Sequence, residues 1–152
     1  MYSMRVTGHV KAPRAAVFRA LVDPDAIASW RVPDGMRAVV HEFEAIEGGA
    51  FRVSLRYSSS GAAGKSSSDT DTYHGRFVTL VPDQKVVEEI EFESGEAALH
   101  GLMTMTTSLV DADGGTDVTI VHDGIPDAVP AADNEQGTRM ALAQLARFVE
   151  AG

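Results

Sequence analysis

The stretch AADNEQGTRMALAQLARFVEAG, residues 131–152, decides the fold of this chain. Its apolar and small residues recur at i, i+3, i+4, i+7, i+10 and i+11, which is the period of a helix with one buried stripe. The middle of the chain is predicted to form strands. The helix is therefore expected to bury its stripe by packing across the resulting sheet. A long, curved sheet would then enclose a space beneath the helix. The residues of the stripe are Thr138, Ala141, Leu142, Leu145, Phe148 and Val149.

Alternation between apolar and polar residues predicts the strands that precede this helix. Residues 2–11 form the first strand, Pro13 opens a short helix, and Asp23-Pro24 separates it from a second one at 24–30. The Gly- and Ser-rich residues 58–69 are predicted to be a mobile hairpin loop. Six more strands are expected at 37–44, 50–57, 72–81, 85–93, 102–110 and 116–122.

This order of elements predicts an α+β fold in one domain over residues 1–152. We expect a helix-grip architecture, in which a curved antiparallel sheet of about seven strands has two short N-terminal helices and a long C-terminal helix packed across it.

Composition excludes several classes of function. The net charge is −9, and an acidic surface repels nucleic acid and anionic lipid headgroups. The absence of cysteine excludes disulfides and thiolate metal sites, and no histidine pair has the spacing of a helical metal site. No apolar run approaches the ~18 residues that suggest a membrane span. We therefore expect a cytoplasmic protein with no cofactor, no metal, no nucleic-acid partner and no membrane insertion.

The ordered set of motifs resembles the helix-grip superfamily that includes START domains and the birch-pollen-allergen fold. Within it, the chain is most similar to the family named for the activator of the Hsp90 ATPase. The resemblance implies a hydrophobic ligand cavity between the sheet and the last helix, although members also include co-chaperone domains and cyclase-like enzymes. The motifs that carry it are APRAAVFRALVDPDAIASW (12–30), EGGAFRV (47–53), YHGRFVTLVPDQKVVEEIEF (73–92), DVTIVHDGIPDA (117–128) and QGTRMALAQLARFVE (136–150).

The chain departs from the family pattern at two positions. Trp30-Arg31 stands where the family often has two adjacent aromatic residues, and Thr138 stands where a tryptophan usually follows the glycine of the last helix. Both changes remove bulk near the expected cavity. We predict extra volume at Thr138, or a gap that a neighbouring side chain fills.

Glu88 is the first candidate for a functional side chain. In VVEEIEF it shares the apolar face of its strand with Val86 and Ile90. A carboxylate that faces a dry interior either raises its pKa or finds a cationic partner. It could anchor a ligand or act as a general acid or base, or it could be a solvated residue on an edge strand.

Histidines and other polar side chains on apolar faces form a second group. His41 shares a face with Val39 and Phe43, and His122 shares one with Val118 and Ile120, so each could meet a ligand or simply be a partly buried histidine. Flexible thioethers and aromatic hydroxyls suit an adaptable pocket and an ordinary core equally well. The remaining candidate ligand-binding residues are Trp30, Tyr57, Tyr73, Met103, Met105, Thr138 and Leu142.

Three functions remain open from the sequence. The first is binding of a small apolar molecule in the cavity. The second is a cofactor-independent cyclase or hydrolase that uses Glu88 with a histidine, for which the groups must lie within ~3 Å of the reacting proton. The third is an interaction module like the co-chaperone relatives. Exposed edge strands also leave a homodimer open.

Overall fold

The structure is a computed structural model that describes residues 1–57, 70–93 and 101–151. The loop predicted at 58–69 lies outside the described residues. In chain order the elements are β1 (Tyr2–Val10), α1 (Arg14–Val22), α2 (Pro24–Trp30), β2 (Met36–Phe43), β3 (Ala50–Tyr57), β4 (Thr70–Val81), β5 (Lys85–Phe92), β6 (Met103–Ala112), β7 (Gly115–Ile125) and α3 (Ala131–Ala151).

The described strands form one antiparallel sheet in the order β1-β7-β6-β5-β4-β3-β2. Helices α1 and α2 carry the chain from β1 at one edge to β2 at the other, and the remaining strands return as a meander to β7 beside β1. The long helix α3 follows. This arrangement confirms the predicted α+β helix-grip fold, and each strand boundary lies within three residues of its predicted position.

The two faces of the sheet differ in chemistry. The inner face, towards the helices, carries fully buried apolar side chains such as Phe77 and Val118. The outer face carries cross-strand ion pairs, including Arg76 Nε to Glu89 Oε1 at 2.6 Å. Alternation along each strand therefore separates an apolar layer from a solvated one, as is usual for an antiparallel sheet covered on one side.

Two contacts fix the position of the short helix α2. Asp23 ends α1 and caps α2, since its carboxylate accepts a hydrogen bond from the backbone N–H of Asp25 at 2.9 Å. At the other end the indole N–H of Trp30 donates to the carbonyl oxygen of Ala20 in α1 at 2.8 Å. These bonds hold Trp30 and the next residue, Arg31, against the inner face of the sheet.

A close contact sets the height of α3 above one edge of the sheet. Gly8 of β1 lies directly under Leu142, and a Cβ atom on Gly8 would be only 2.8 Å from Leu142 Cδ2. Thr138 and Leu145 of the predicted stripe are also buried, whereas Phe148 near the end of the helix is 40% exposed and is not part of the buried face. No helix among the described residues is both long enough and apolar enough to cross a membrane.

A β-bulge near the end of β7 changes which residues face inward. Met4 pairs with His122 but Tyr2 pairs with Ile125, so β7 contains one extra residue at this point. Gly124 adopts a φ of 73°, which is the left-handed conformation that such bulges use. As a result His122 and Ile125 both face the core, although they are three positions apart.

We predict that Gly8→Val destabilises the protein, because the new side chain must displace Leu142. Overpacking of this kind typically lowers the free energy of unfolding by about 1–3 kcal/mol. The loss should be smaller when Leu142→Ala makes room for the valine, which urea denaturation of the single and double variants would measure. Thr7→Val on the outer face of the same strand is the control, and a Gly8→Val protein as stable as that control would contradict the role of Gly8.

Candidate functional site

A cavity of about 310 Å³ lies between α3, the end of α2 and the inner face of the sheet. Strands β3 to β7 form its floor, and one side of α3 forms its roof. Most of the side chains around it are apolar. The apolar lining includes Leu21, Trp30, Leu55, Ile90, Phe92, Met103, Met105, Ile120 and Leu145.

An ion pair lies inside this apolar lining. Glu88 of β5 is only 5% exposed, and the guanidinium of Arg31 donates through one nitrogen to both of its carboxylate oxygens, at 3.1 and 3.4 Å. The other terminal nitrogen of Arg31 contacts the sulfur of Met105 at 3.3 Å. Arg31 therefore links the end of α2 to two neighbouring strands of the sheet.

Arg31 also interacts with Tyr73. Its guanidinium carbon lies 5.8 Å from the centroid of the Tyr73 ring, within the range of a cation–π contact. Burial by itself would lower the pKa of Arg31, but the charge of Glu88 and the neighbouring Tyr73 raise that pKa above its ordinary value. Arg31 is therefore a permanent cation whose charge Glu88 balances.

His122 of β7 lines the same cavity, and its charge state differs from that of Arg31. Its side chain is buried, and neither ring nitrogen has a hydrogen-bond partner among the described residues. Burial, followed by repulsion from Arg31, lowers the pKa of His122 to about 4, against a smaller opposing effect of Asp123. The imidazole is thus uncharged at neutral pH and offers one N–H donor and one nitrogen acceptor.

Two further polar side chains that line the cavity lack hydrogen-bond partners within the described residues. The hydroxyl oxygen of Tyr73 and the amide nitrogen of Asn134, in the first turns of α3, are buried and make no hydrogen bond within the described ranges. Burial, only partly offset by Arg31, raises the pKa of the Tyr73 hydroxyl, so it stays protonated. Every buried side-chain nitrogen or oxygen that lacks a partner in the described part of the chain belongs to a residue that lines this cavity.

Strand register sets the spacing of the polar groups. Glu88 lies opposite Met105, and Met105 lies opposite His122 on the next strand. Two strand spacings separate the backbones of Glu88 and His122 by roughly 10 Å. Glu88 is thus paired with an arginine rather than with a histidine, and Met105 lies between the two titratable groups.

Thr138 faces the cavity from α3. It is 9% exposed, and its hydroxyl donates to the carbonyl oxygen of Asn134 at 2.9 Å, so the helix itself satisfies that group. The cavity extends to Thr138 and to its neighbour Gly137. Open space is therefore found at the position where the sequence analysis predicted extra volume.

Most of the candidate residues from the sequence come together around this cavity. Their role in ligand binding stays a prediction. The candidates that line the cavity are Trp30, Tyr73, Glu88, Met103, Met105, His122 and Thr138.

His41 was placed on the wrong face of its strand. A bulge at His41 shifts the register of β2 between Val40 and Glu42, so Val40, rather than Val39, faces inward with Phe43. His41 is exposed, and its Nε2 atom lies 2.7 Å from the hydroxyl of Ser54 on the outer face. The strict alternation assumed for this strand fails because one residue is added at the bulge.

Tyr57 and Leu142 also lie away from the lining. Tyr57 ends β3 one inward position beyond Leu55, which is the residue of that strand that reaches the cavity. Leu142 is buried, but it packs on Gly8 rather than towards the cavity. The helix presents its neighbour Ala141 to the space instead.

The sequence analysis missed Arg31 and Asn134 as cavity residues. Arg31 had been noted only as a departure from an aromatic pattern, and Glu88 only as a carboxylate in an apolar strand. These two unexpected charges are opposite in sign. That complementarity was the indication, available from the sequence, that Arg31 pairs with Glu88 inside the protein. Asn134 precedes the predicted stripe by one helical turn, and nothing else in the sequence distinguished it.

The positions of acidic and histidine side chains also bear on metal binding. Among the described residues, no group of three or more such side chains is placed to hold a metal ion.

Comparison with known proteins identifies the family. The model of the family described as activator of Hsp90 ATPase homolog 1-like protein matches residues 11–150. The chain belongs to this family. A comparison with functionally curated proteins finds no match.

Solved structures support the fold. A Chromobacterium violaceum protein is 31% identical over 99% of both chains, with a TM-score of 0.87. A Rhodobacter sphaeroides protein is 21% identical, with 98% of this chain and 93% of that chain covered and a TM-score of 0.80. The AHSA1-like protein from Aeromonas hydrophila is 18% identical, with 99% and 93% covered and a TM-score of 0.76. The last two share the fold with this member of the family.

We predict that Arg31→Met destabilises the protein by about 3 kcal/mol, because it leaves the Glu88 carboxylate buried without a counter-charge. The double variant Arg31→Met with Glu88→Leu should recover most of that loss, since it removes both charges. Urea denaturation followed by the fluorescence of Trp30 would measure both values.

The exposed outer-face pair provides a matched control. Arg76→Met removes the partner of Glu89, and the Arg76 side chain is 58% exposed, so we expect a change below about 1 kcal/mol. If Arg31→Met and Arg76→Met cost the same, the inner ion pair is not buried as described.

We predict that stability falls as the pH drops from about 6.5 to about 4, because the unfolded state then binds a proton on His122 that the folded state excludes. The total loss in the free energy of unfolding is on the order of 3 kcal/mol, which is the free-energy equivalent of the shift in pKa. Thermal or urea unfolding across this pH range would measure the effect. The free energy of unfolding should change less steeply with pH for His122→Gln than for the unaltered protein. Parallel slopes for the two proteins would contradict the lowered pKa.

Proposed function

We propose that this protein binds a small, mostly apolar molecule in the cavity beneath α3. The observation that carries the proposal is a mostly apolar cavity beneath α3, lined by residues whose buried polar side-chain atoms have no partner within the described residues. A folded chain normally satisfies such atoms itself, since each one left unpaired costs about 1–3 kcal/mol. A bound molecule with a matching polar group would satisfy them.

The size and composition of the cavity support this function. Its volume of about 310 Å³ lies at the lower end of the usual range for ligand pockets, which are roughly 300–1,000 Å³. Such pockets combine apolar and aromatic walls with a few polar groups that orient the ligand. Here Trp30 and Phe92 provide aromatic surface, and Met103 and Met105 provide adaptable thioether surface.

The enzyme alternative is less well supported by the positions of the titratable groups. A mechanism that uses Glu88 with a histidine needs the two groups close to one reacting proton. Glu88 is bonded to Arg31 instead, and Met105 separates it from His122 along the sheet. We therefore do not propose catalysis by this pair.

The name of the family describes an activator of the Hsp90 ATPase, which would act through an exposed surface. The buried polar atoms that lack a partner within the described residues belong to residues that line the cavity rather than to an exposed surface. We accordingly propose ligand binding ahead of a co-chaperone role.

We predict that Thr138→Trp blocks the cavity and abolishes binding, because it places the bulk of an indole ring where the cavity meets α3. Native mass spectrometry of the freshly purified protein, together with a thermal-shift screen of small apolar compounds, would measure retained and added ligands. The unaltered protein should gain stability with some of these compounds, and Thr138→Trp should gain none.

Ala143→Trp is the matched control, since it adds the same ring to an exposed position of the same helix. This control should bind like the unaltered protein. The proposal fails if no compound shifts the unaltered protein, or if the two tryptophan variants respond alike.

A further inference from the structure

Among the described residues, four side chains that line the cavity can titrate or carry a charge, and two of them form its ion pair. The side chains of this pair, Arg31 and Glu88, are only 17% and 6% exposed. The other two, Tyr73 and His122, are uncharged at neutral pH, because burial raises the pKa of the Tyr73 hydroxyl and lowers the pKa of His122 to about 4. The charges around the cavity therefore sum to zero.

Glu88 is the residue that produces this balance. Both of its carboxylate oxygens accept from one terminal nitrogen of Arg31, at 3.1 and 3.4 Å. The other contacts of Arg31 are uncharged, since its second terminal nitrogen lies 3.3 Å from the sulfur of Met105 and its guanidinium carbon lies 5.8 Å from the centroid of the Tyr73 ring. Without the Glu88 carboxylate, the described part of the cavity would contain an uncompensated cation.

An anionic ligand gains little from an arginine that is already paired. On entering, it would lose its hydration among mostly apolar side chains, which is costly unless a counter-charge replaces the lost water. A guanidinium is only a few ångströms wide, so an anion bonded to another edge of Arg31 would still lie within about 8 Å of the Glu88 carboxylate. Repulsion from Glu88 would then offset much of the attraction to Arg31.

We propose that Glu88 determines the charge of the ligand: by neutralising Arg31 inside the cavity, it restricts binding to uncharged molecules and excludes carboxylates. This inference rests on the proposed function and adds to it the charge class of the ligand and the residue that selects it. Replacing the Glu88 carboxylate by a neutral group leaves the Arg31 cation without a partner, so the same cavity then selects an anion.

Two probes of the same shape test this selection. Naphthalene-2-carboxamide and 2-naphthoate share one ring system and differ at neutral pH by a single negative charge. The readout is the ratio of their dissociation constants for each protein, measured by equilibrium dialysis, so a general loss of affinity in a variant cancels. For the unaltered protein we expect the amide to bind at least roughly tenfold more tightly than naphthoate.

Glu88→Gln keeps the shape of the side chain and removes its charge. We expect the ratio to move towards naphthoate by roughly a hundredfold and the order of the two probes to reverse, because the ligand carboxylate takes the place of Glu88 beside Arg31. The double variant Arg31→Met with Glu88→Leu has neither charge and should retain the preference for the amide.

Glu89→Gln is the matched control for the loss of a carboxylate. Glu89 is the next residue of the same strand, but it pairs with Arg76 on the outer face of the sheet. The ratio of the two dissociation constants for Glu89→Gln should therefore equal that of the unaltered protein.

The stability of Glu88→Gln provides a second measurement. Without ligand, this variant contains a buried cation that lacks a counter-charge, so it should unfold at a lower temperature than the unaltered protein. Naphthoate should raise that temperature more than the amide does, or restore the fold where the variant is unfolded without it, as the fluorescence of Trp30 reports. A merely structural role for Glu88 would give no difference between the two probes.

The outcomes separate this inference from the proposed function. If naphthoate binds the unaltered protein as tightly as the amide, or if Glu88→Gln keeps the ratio of the unaltered protein, the inference is wrong and ligand binding stands. If the double variant also reverses the order, attraction to Arg31 is not the cause and the inference is wrong. If neither probe binds any of these proteins, the inference is likewise overturned, and the broader apolar screen with Thr138→Trp and Ala143→Trp decides the proposed function separately.

Discussion

The structure depends on how one long helix covers one face of a sheet. Helix α3 must bury its apolar stripe, and the inner face of the sheet is the surface available to it. The helix comes closest at β1, where the absence of a side chain on Gly8 lets Leu142 approach the backbone. Away from that edge, the small residues Gly137, Thr138 and Ala141 line the cavity. The same packing that stabilises the fold thus leaves a space enclosed by the helix and the sheet.

The polar groups inside this space have a clear physical cost. A buried ion pair usually adds little stability compared with apolar residues of similar size, and unpartnered polar atoms lower stability outright. Arg31 and Glu88 satisfy each other, whereas Tyr73, His122 and Asn134 retain unpartnered atoms within the described residues. Such a cost is expected at functional sites, where the interaction with a ligand replaces what the chain does not provide for itself.

Much of the fold and part of the candidate site could be predicted from periodicity. The alternation of β5 and β6 correctly indicated that Glu88, Met103 and Met105 face inward, because register in these strands is regular from one residue to the next. His41 was misplaced because a bulge reverses the alternation, and strand periodicity contains no information about where a bulge occurs. Leu142 was misplaced for another reason, since a helical stripe is wide and only packing decides which of its residues meets the neighbouring strand and which meets the cavity.

The sequence by itself determined the order of the elements, the buried face of the regular ones and the family to which the chain belongs, since these follow from local spacing and from motifs along the chain. Only the tertiary structure decided that Arg31 is the partner of Glu88, because the two residues are 57 positions apart and meet through the packing of α2 on the sheet. It likewise decided that His122 is uncharged, because burial and the nearness of Arg31 set its pKa. The chemistry of the cavity is therefore a property of side chains brought together from distant parts of the chain.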